Sequence, residues 1–306
     1  RPPAGVYRPT MGNQDLAIAA AVGAGIGAIG CLLLTRGKKG ALSVRSTTAS
    51  GSVVYESSRA VDEYLQFHFA SAEELAPLVG KFLAKEVLEF PTLCAKECSK
   101  SATKKGRCLD IGCAVGGAVF EMARDFEEVV GFDFSNGFIQ AANDMKKNGS
   151  RTYERLVEGE IMERKTAKVP AGIDRQRCKF LVGDACDMPA LRLGKFDSVL
   201  AANLMCRVPD PFKFLRDMKD LVNEGGTFVL VSPFSWLPEY TDKKKWVGGY
   251  TDAGGKPVFT EGQVAAALGP HFKLVETKQM PFIIREHQRK NQVGVSCCQI
   301  WRRTGA

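Results

Sequence analysis

From Arg107 to Ser232 the chain alternates short apolar runs with segments of helical period, and this alternation restricts the fold more than any other feature. RCLDIG, EVVGFDFS, CKFLVGDA, FDSVLAANL and GGTFVLVSP read as buried strands. GGAVFEMARDF, NGFIQAANDMKKN and DPFKFLRDMKDLVN carry apolar residues three and four apart and read as helices. Strands separated by helices predict an α/β domain, with a parallel sheet covered on both faces. FKLVETKQMPF and VGVSCCQIWRR have no helix between them, which predicts an antiparallel pair closing one edge. Upstream, SRAVDEYLQFHF and AEELAPLVGKFLAKEVLEFP predict two helices, with Pro91 ending the second. Two insertions interrupt the pattern. Residues 149–176 contain YERLVEGEIMERKTAKV, read as a charged helical stretch, and residues 234–260 are rich in Trp, Tyr and Gly. Insertions at strand ends of an open sheet are where ligand specificity is usually built.

The N-terminus is of a different kind. Residues 16–34 run 19 positions without a charge and are followed by RGKKG. Gly25, Gly27 and Gly30 spell GxGxxG, but no acid occurs between residues 16 and 55 to hold a ribose. The run instead suits a membrane span or a targeting segment, with the basic flank on the cytosolic side. Residues 35–53 read as a linker. The expected organisation is a tail plus linker over 1–53 and one catalytic domain over 54–306. Within that domain a helical cap covers 54–100 and the sheet 101–306. The expected location is membrane-associated or organelle-targeted, and cytoplasmic if the segment is absent or cleaved.

Of the net charge of +8, residues 1–50 hold six basic residues and one acid, leaving +3 for the rest. A domain this close to neutral argues against a nucleic-acid partner. The ten cysteines show no paired CxxC units, so free thiols in a reducing compartment are expected and no metal.

The first strand ends in CLDIGCAVGG. Gly112 and Gly116 let backbone approach a ligand, with Cys113 and Ala114 between them. Ala114 stands where many such loops have glycine, which predicts a negative φ there. No Lys-Ser/Thr follows the glycines, so a triphosphate cradle is excluded. Asp133 ends the second strand, 21 residues past Gly112, where a carboxylate can accept from both ribose hydroxyls, with Phe134 beside it. Asp184 and Ala185 of GDA are placed to meet an adenine edge, and Asn203 and Leu204 to line the floor. Asp110 would lie near a ligand ammonium group and would repel a pyrophosphate. This set favours S-adenosylmethionine over a dinucleotide.

The order D-x-G-x-x-x-G, acid, GDA, FDSVLAAN and a Gly-Gly strand resembles the class I methyltransferases. That resemblance implies a Rossmann-like, mostly parallel seven-stranded sheet with an antiparallel last strand. EYLQFHF, EFPTLCAKEC, VVGFDFSNGFIQAA, GDACDMP, VLAANLMCRVPDP, SPFSWLPEYT, WVGGY and MPFIIREHQRK are similar to the mercaptohistidine N-methyltransferases of ovothiol biosynthesis, over about residues 55–303. The resemblance implies methyl transfer to an imidazole nitrogen of 5-mercaptohistidine. Such a reaction needs orientation more than a strong base, because a neutral imidazole already offers a lone pair. Candidate catalytic residues are Tyr64 and His68, four apart on one helix face, and His287 as a proton acceptor. Candidate substrate contacts are Arg207, Trp236, Tyr240, Trp246 and Tyr250, with Arg285 and Glu286 between the last two strands. A membrane-associated methyltransferase for a quinol or another metabolite is the rival enzyme reading. A ligand-binding protein without turnover is the non-enzyme one.

Overall fold

A computed structural model describes residues 53–71 and 82–305, together with Glu74 and Leu78. The charge-free run at 16–34 lies outside the described residues, as does the linker up to residue 52. Among the described residues no helix is long and apolar enough to cross a membrane.

The sheet is built from β1 (Arg107–Ile111), β2 (Glu128–Asp133), β5 (Cys178–Val182), β6 (Phe196–Ala202), β7 (Val222–Ser232), β10 (Phe272–His287) and β11 (Lys290–Arg303). Its seven strands lie in the order β10-β11-β7-β6-β1-β2-β5. β7, β6, β1, β2 and β5 are mutually parallel, and β11 runs antiparallel to both its neighbours. This is the Rossmann-like, mostly parallel sheet that the sequence predicts, with the reversed strand last in sequence.

Helices α1 (Ser58–Phe69), α2 (Phe90–Ser101), α3 (Gly117–Met122), α4 (Asn136–Asn148), α5 (Pro211–Leu221) and α6 (Thr260–Leu268) surround it. Alternate strand residues feed two separate cores. Cys108, Leu200, Val229 and Val231 face one, while Leu109, Ile111, Val199, Ala201, Phe228 and Leu230 face the other. Burial on both faces explains why these strands read as continuous apolar runs. Helix starts follow their caps. Ser57 Oγ accepts from the Ala60 amide at 3.1 Å, Ser135 Oγ from Phe138 at 3.1 Å, and Asp210 Oδ1 from Lys213 at 2.9 Å.

Three expectations need correction. Pro91 starts a helix rather than ending one: it occupies the first turn of α2, where its missing N–H is no loss. The charged stretch after α4 is a hairpin, β3 (Ser150–Glu158) and β4 (Ile161–Lys168). Its inward positions Tyr153 and Ala167 are buried between exposed neighbours, and Gly159-Glu160 forms the two-residue turn. The stretch has no apolar stripe of helical period, so strand alternation prevails. Arg285, Glu286 and His287 belong to β10 itself, which continues to His287 before a short turn. The Trp- and Tyr-rich insertion is mostly loop with a small hairpin, β8 (Tyr250–Thr251) and β9 (Pro257–Val258), and leads into α6.

At the sheet end opposite the strand tips, Asp197 ties three strands together. Its Oδ2 accepts from the Gly106 and Arg107 amides, both at 3.1 Å, and its Oδ1 from Asn223 Nδ2 at 2.9 Å. Asp197→Ala strands these donors and should cost about 1–3 kcal/mol in urea unfolding. The dissociation constant of any ligand at the far end should stay unchanged; a weakened ligand with unaltered stability would contradict this placement.

Candidate functional site

The carboxyl ends of β1, β2, β5 and β6 open into one large cavity, which α1 covers. Helical spacing delivers the cover: Ala60, Glu63, Tyr64, Phe67 and His68 recur three and four apart and all line the cavity. The structure brings Asp110, Gly112, Cys113, Ala114, Asp133, Phe134, Asp184, Ala185, Asn203, Leu204, Arg207 and Glu286 to the same walls.

The loop after β1 is left-handed at three points. φ is +76° at Gly112, +47° at Ala114 and +88° at Gly116. The negative φ expected at Ala114 is therefore wrong. The left-handed conformation costs a non-glycine residue about 1–2 kcal/mol, and here it turns the Ala114 amide onto Asp133 Oδ2 at 3.0 Å. Asp133 Oδ1 accepts from the Ser135 amide at 2.9 Å. Each oxygen keeps a further lone pair, and Asp133 lines the cavity. Asp184 Oδ1 accepts from the Cys186 amide at 2.7 Å, which orients that carboxylate at the tip of β5.

Asp110 is buried at 3 % exposure. Burial, and then the Asp133 charge, pushes its pKa up to about 8. Burial likewise lifts Asp133 to about 6, against the Ser135 and Ala114 amides, which hold it down. No salt bridge among the described residues reaches either acid. A buried and a half-buried carboxylate side by side fit a ligand that brings positive charge, and do not fit a pyrophosphate.

His68 is anchored. The Gly117 amide donates to its Nδ1 at 3.1 Å, which leaves the ring proton on Nε2. Burial lowers its pKa to about 3, so the ring is neutral. A side chain at Gly117 would stand 2.6 Å from His68 Nδ1, so the contact requires glycine. Tyr64 packs on Phe138 with centroids 4.6 Å apart, and Tyr55 meets Tyr64 edge-on at 6.2 Å. Burial, before any charge, raises both phenols well above their ordinary range.

Arg207 is buried at the end of β6. Its Nη1 donates to Ser235 O at 2.6 Å and Cys206 O at 3.0 Å, and its guanidinium lies 4.8 Å from the Tyr240 ring centroid. Tyr240 thus supports the wall from behind. Trp236 and Trp246 stack on each other in the second core, with indole N–H groups donated to Thr260 Oγ1 and Thr241 O. Tyr250 is exposed on β8, and Gly116 packs under Phe180. His287 accepts the Arg289 amide at the turn, and Arg285 faces a separate small pocket. These six residues and Tyr240 lie off the cavity: the loop folds its indoles inward, the last hairpin is longer than expected, and Gly116 serves packing. Sequence reasoning missed Tyr55, Glu63, Ser135, Phe138, Ile284 and Gln292. Glu63 and Phe138 were legible from helical spacing; Tyr55 and Gln292 carried no local signal.

A family profile described as a methyltransferase domain matches residues 109–230. Ajmaline N-methyltransferase of Rauvolfia serpentina is 26% identical over 172 residues, which is 56% of this chain and 51% of that enzyme. The chain therefore matches about half the length of this curated relative. Magnesium protoporphyrin IX methyltransferase from Synechocystis PCC 6803, solved with bound S-adenosylhomocysteine, superposes with TM-score 0.50 at 15% identity. That superposition covers 82% of this chain and 97% of that one. The [4+2]-cyclase SpnF superposes with TM-score 0.52 at 12% identity, over 85% and 98% of the two chains. These likenesses share the fold. The domain match and the cation-seeking acids make S-adenosylmethionine the cofactor of this cavity.

At pH 7 a carboxyl group with a pKa of about 8 is mostly protonated, and a bound cation lowers that pKa. Binding S-adenosylmethionine should therefore release close to one proton at pH 7, measured by calorimetry in two buffers of different ionisation enthalpy. Asp110→Asn should abolish the release; an unchanged release would contradict this role. Ala114→Gly should raise stability by about 0.5–1 kcal/mol, as relief of the left-handed strain exceeds the entropy cost of glycine. A loss of stability would show that the strain is absent.

Proposed function

We propose that this S-adenosylmethionine-dependent methyltransferase transfers its methyl group to an imidazole nitrogen of a small zwitterion, 5-mercaptohistidine. One observation carries the reading: the aromatic wall beside the donor acids is neutral at pH 7. His68 has its Nδ1 occupied and its pKa held low by burial. Tyr55 and Tyr64 keep their protons. A wall without an ionised base suits an acceptor whose nitrogen lone pair is already available, and is a poor match for a quinol, whose hydroxyl must first lose a proton.

S-adenosylmethionine supplies a sulfonium methyl when bound. The chain supplies position and exclusion of water. Asp133 and Asp184 hold the ribose and adenine ends, and Asp110 faces the cationic end. Tyr55, Tyr64 and Phe138 close over the cavity and offer ring faces to positive charge. His68 presents a fixed Nε2–H donor. Arg207 brings a guanidinium to the wall for a carboxylate. Glu286, held by Gln292 at 2.6 Å and Lys290 at 2.5 Å, brings a carboxylate for an ammonium group. Orientation is then the main catalytic contribution. The motifs similar to the mercaptohistidine N-methyltransferases support the choice of acceptor, and the match to an N-methyltransferase supports nitrogen as the methylated atom.

Incubation with labelled S-adenosylmethionine and, in parallel, 5-mercaptohistidine, histidine and a quinol tests the acceptor. Label should enter 5-mercaptohistidine; label in the quinol alone overturns the reading. Arg207→Ala should raise the KM for the acceptor about 10–100-fold, the loss of one charge-assisted contact, with the donor's Kd nearly unchanged. Unchanged acceptor kinetics would remove Arg207 from the site.

A further inference from the structure

An imidazole that carries a sulfur offers a methyl donor two nucleophiles, and an ionised sulfur is the stronger of them. A site that methylates nitrogen has to keep that sulfur off the line of attack. Asn203, at the tip of β6, is built to do so. It holds a left-handed φ of +54°, a strain that persists only where the surroundings over-determine it. Two bonds fix it. The Asn203 amide N donates to Val231 O at 2.7 Å, and Ser296 Oγ donates to Asn203 Oδ1 at 2.7 Å. With its oxygen taken, the side chain presents Nδ2, which carries two neutral N–H donors. No described residue accepts from them, and Asn203 lines the main cavity.

The wall around this amide is apolar. Ser296 pairs with Met280 across β11 and β10, and side chains opposite each other share a face. The Cys94 thiol, on α2, points to Met280 Sδ at 3.5 Å. Asn203 and Cys94 therefore anchor at neighbouring points of the last hairpin. Phe90, Cys94 and Ile284 line the cavity together with Asn203. Polarisable surroundings of this kind suit a large, soft atom such as sulfur. The charged groups of the cavity have other tasks. Arg207 is assigned above to the acceptor's carboxylate, Glu286 to its ammonium and Asp110 to the donor, while Arg59 pairs with Glu63 at 2.9 Å.

We propose, on the acceptor reading given above, that mercaptohistidine binds as its thiolate with the sulfur accepting from Asn203 Nδ2, so that a ring nitrogen and not the sulfur meets the methyl. Asn203 is then the residue that sets which atom is methylated. Ser296 does not line the cavity and acts through Asn203, as a positioning residue. The reaction balances without a base. The nitrogen lone pair forms the new N–CH3 bond, and the sulfonium S–CH3 bond breaks with its electron pair kept by the sulfur of the donor. The product is an imidazolium thiolate, in which the charges of ring and sulfur cancel. No proton has to leave, in keeping with a wall whose histidine and tyrosines stay neutral.

Product identity tests this, because N-methyl and S-methyl mercaptohistidine have distinct methyl resonances in NMR spectra. The wild type should give the N-methyl product. Asn203→Gly removes the amide but keeps the left-handed backbone, which glycine adopts freely. It should lower the ratio of N-methyl to S-methyl product about 10–100-fold, the loss of a hydrogen bond to a charged group. Ser296→Ala leaves Asn203 in place, frees its amide to rotate, and should move the ratio the same way by a smaller factor. Asn203→Asp sets a carboxylate against the sulfur and should raise the acceptor's KM about tenfold or more; an acceptor bound as the neutral thiol would donate to that carboxylate and keep its KM. Wild-type ratios in both Asn203→Gly and Ser296→Ala would overturn the assignment and leave the acceptor reading standing. A tenfold loss of affinity for S-adenosylhomocysteine in Asn203→Gly, with the ratio unchanged, would place Asn203 in the donor site instead. If the wild type forms neither product, the acceptor reading fails and the role of Asn203 falls with it.

Discussion

The hydrogen bond from the Ala114 amide to Asp133 is the constraint on which the site depends. It links the loop after β1 to the tip of β2 and holds a non-glycine residue in a left-handed conformation. Backbone strain of this kind persists only where the surroundings over-determine it. The same carboxylate receives the Ser135 amide. Ser135 Oγ in turn caps α4 and donates to Tyr55 O at 2.9 Å. A chain of contacts therefore runs from the loop through Asp133 and Ser135 to Tyr55, which meets Tyr64 on the covering helix. Asp133 and the aromatic cover are parts of one connected assembly.

Electrostatics gives this assembly its selectivity. Burial raises the pKa of both acids, the Asp133 charge raises that of Asp110 further, and the pair favours the arrival of a cation. A sulfonium-and-ammonium ligand satisfies that need directly; a pyrophosphate would add to the repulsion. Burial acts in the same sense on His68, Tyr55 and Tyr64, which also become harder to ionise. The cavity thus sets two acids that favour a cation beside an aromatic wall that stays neutral.

Much of this was legible in the residues. Apolar runs of β1, β2, β5, β6 and β7 are buried on both faces, so their parallel pairing followed from alternation with helices. Acids at strand tips were legible because topology fixes where a tip must lie. Three features were not. The sign of φ at Ala114 depends on a partner 19 residues away, Asp133, which no local preference encodes. The β3–β4 hairpin lacks an apolar stripe, so charge spacing alone could not distinguish strand from helix. The indoles of Trp236 and Trp246 looked like ligand contacts because a Trp-rich loop reads the same whether its rings turn toward a cavity or into a core; their N–H partners, Thr260 and Thr241, settle the direction.

The central claim is that a cationic nucleoside lies across the strand tips with its ribose on Asp133. A crystal structure of the chain with S-adenosylhomocysteine tests it most directly. The account predicts both ribose hydroxyls within hydrogen-bond distance of the Asp133 carboxylate and the ligand's ammonium beside Asp110. A ribose turned away from Asp133, or an ammonium group far from Asp110, would contradict it.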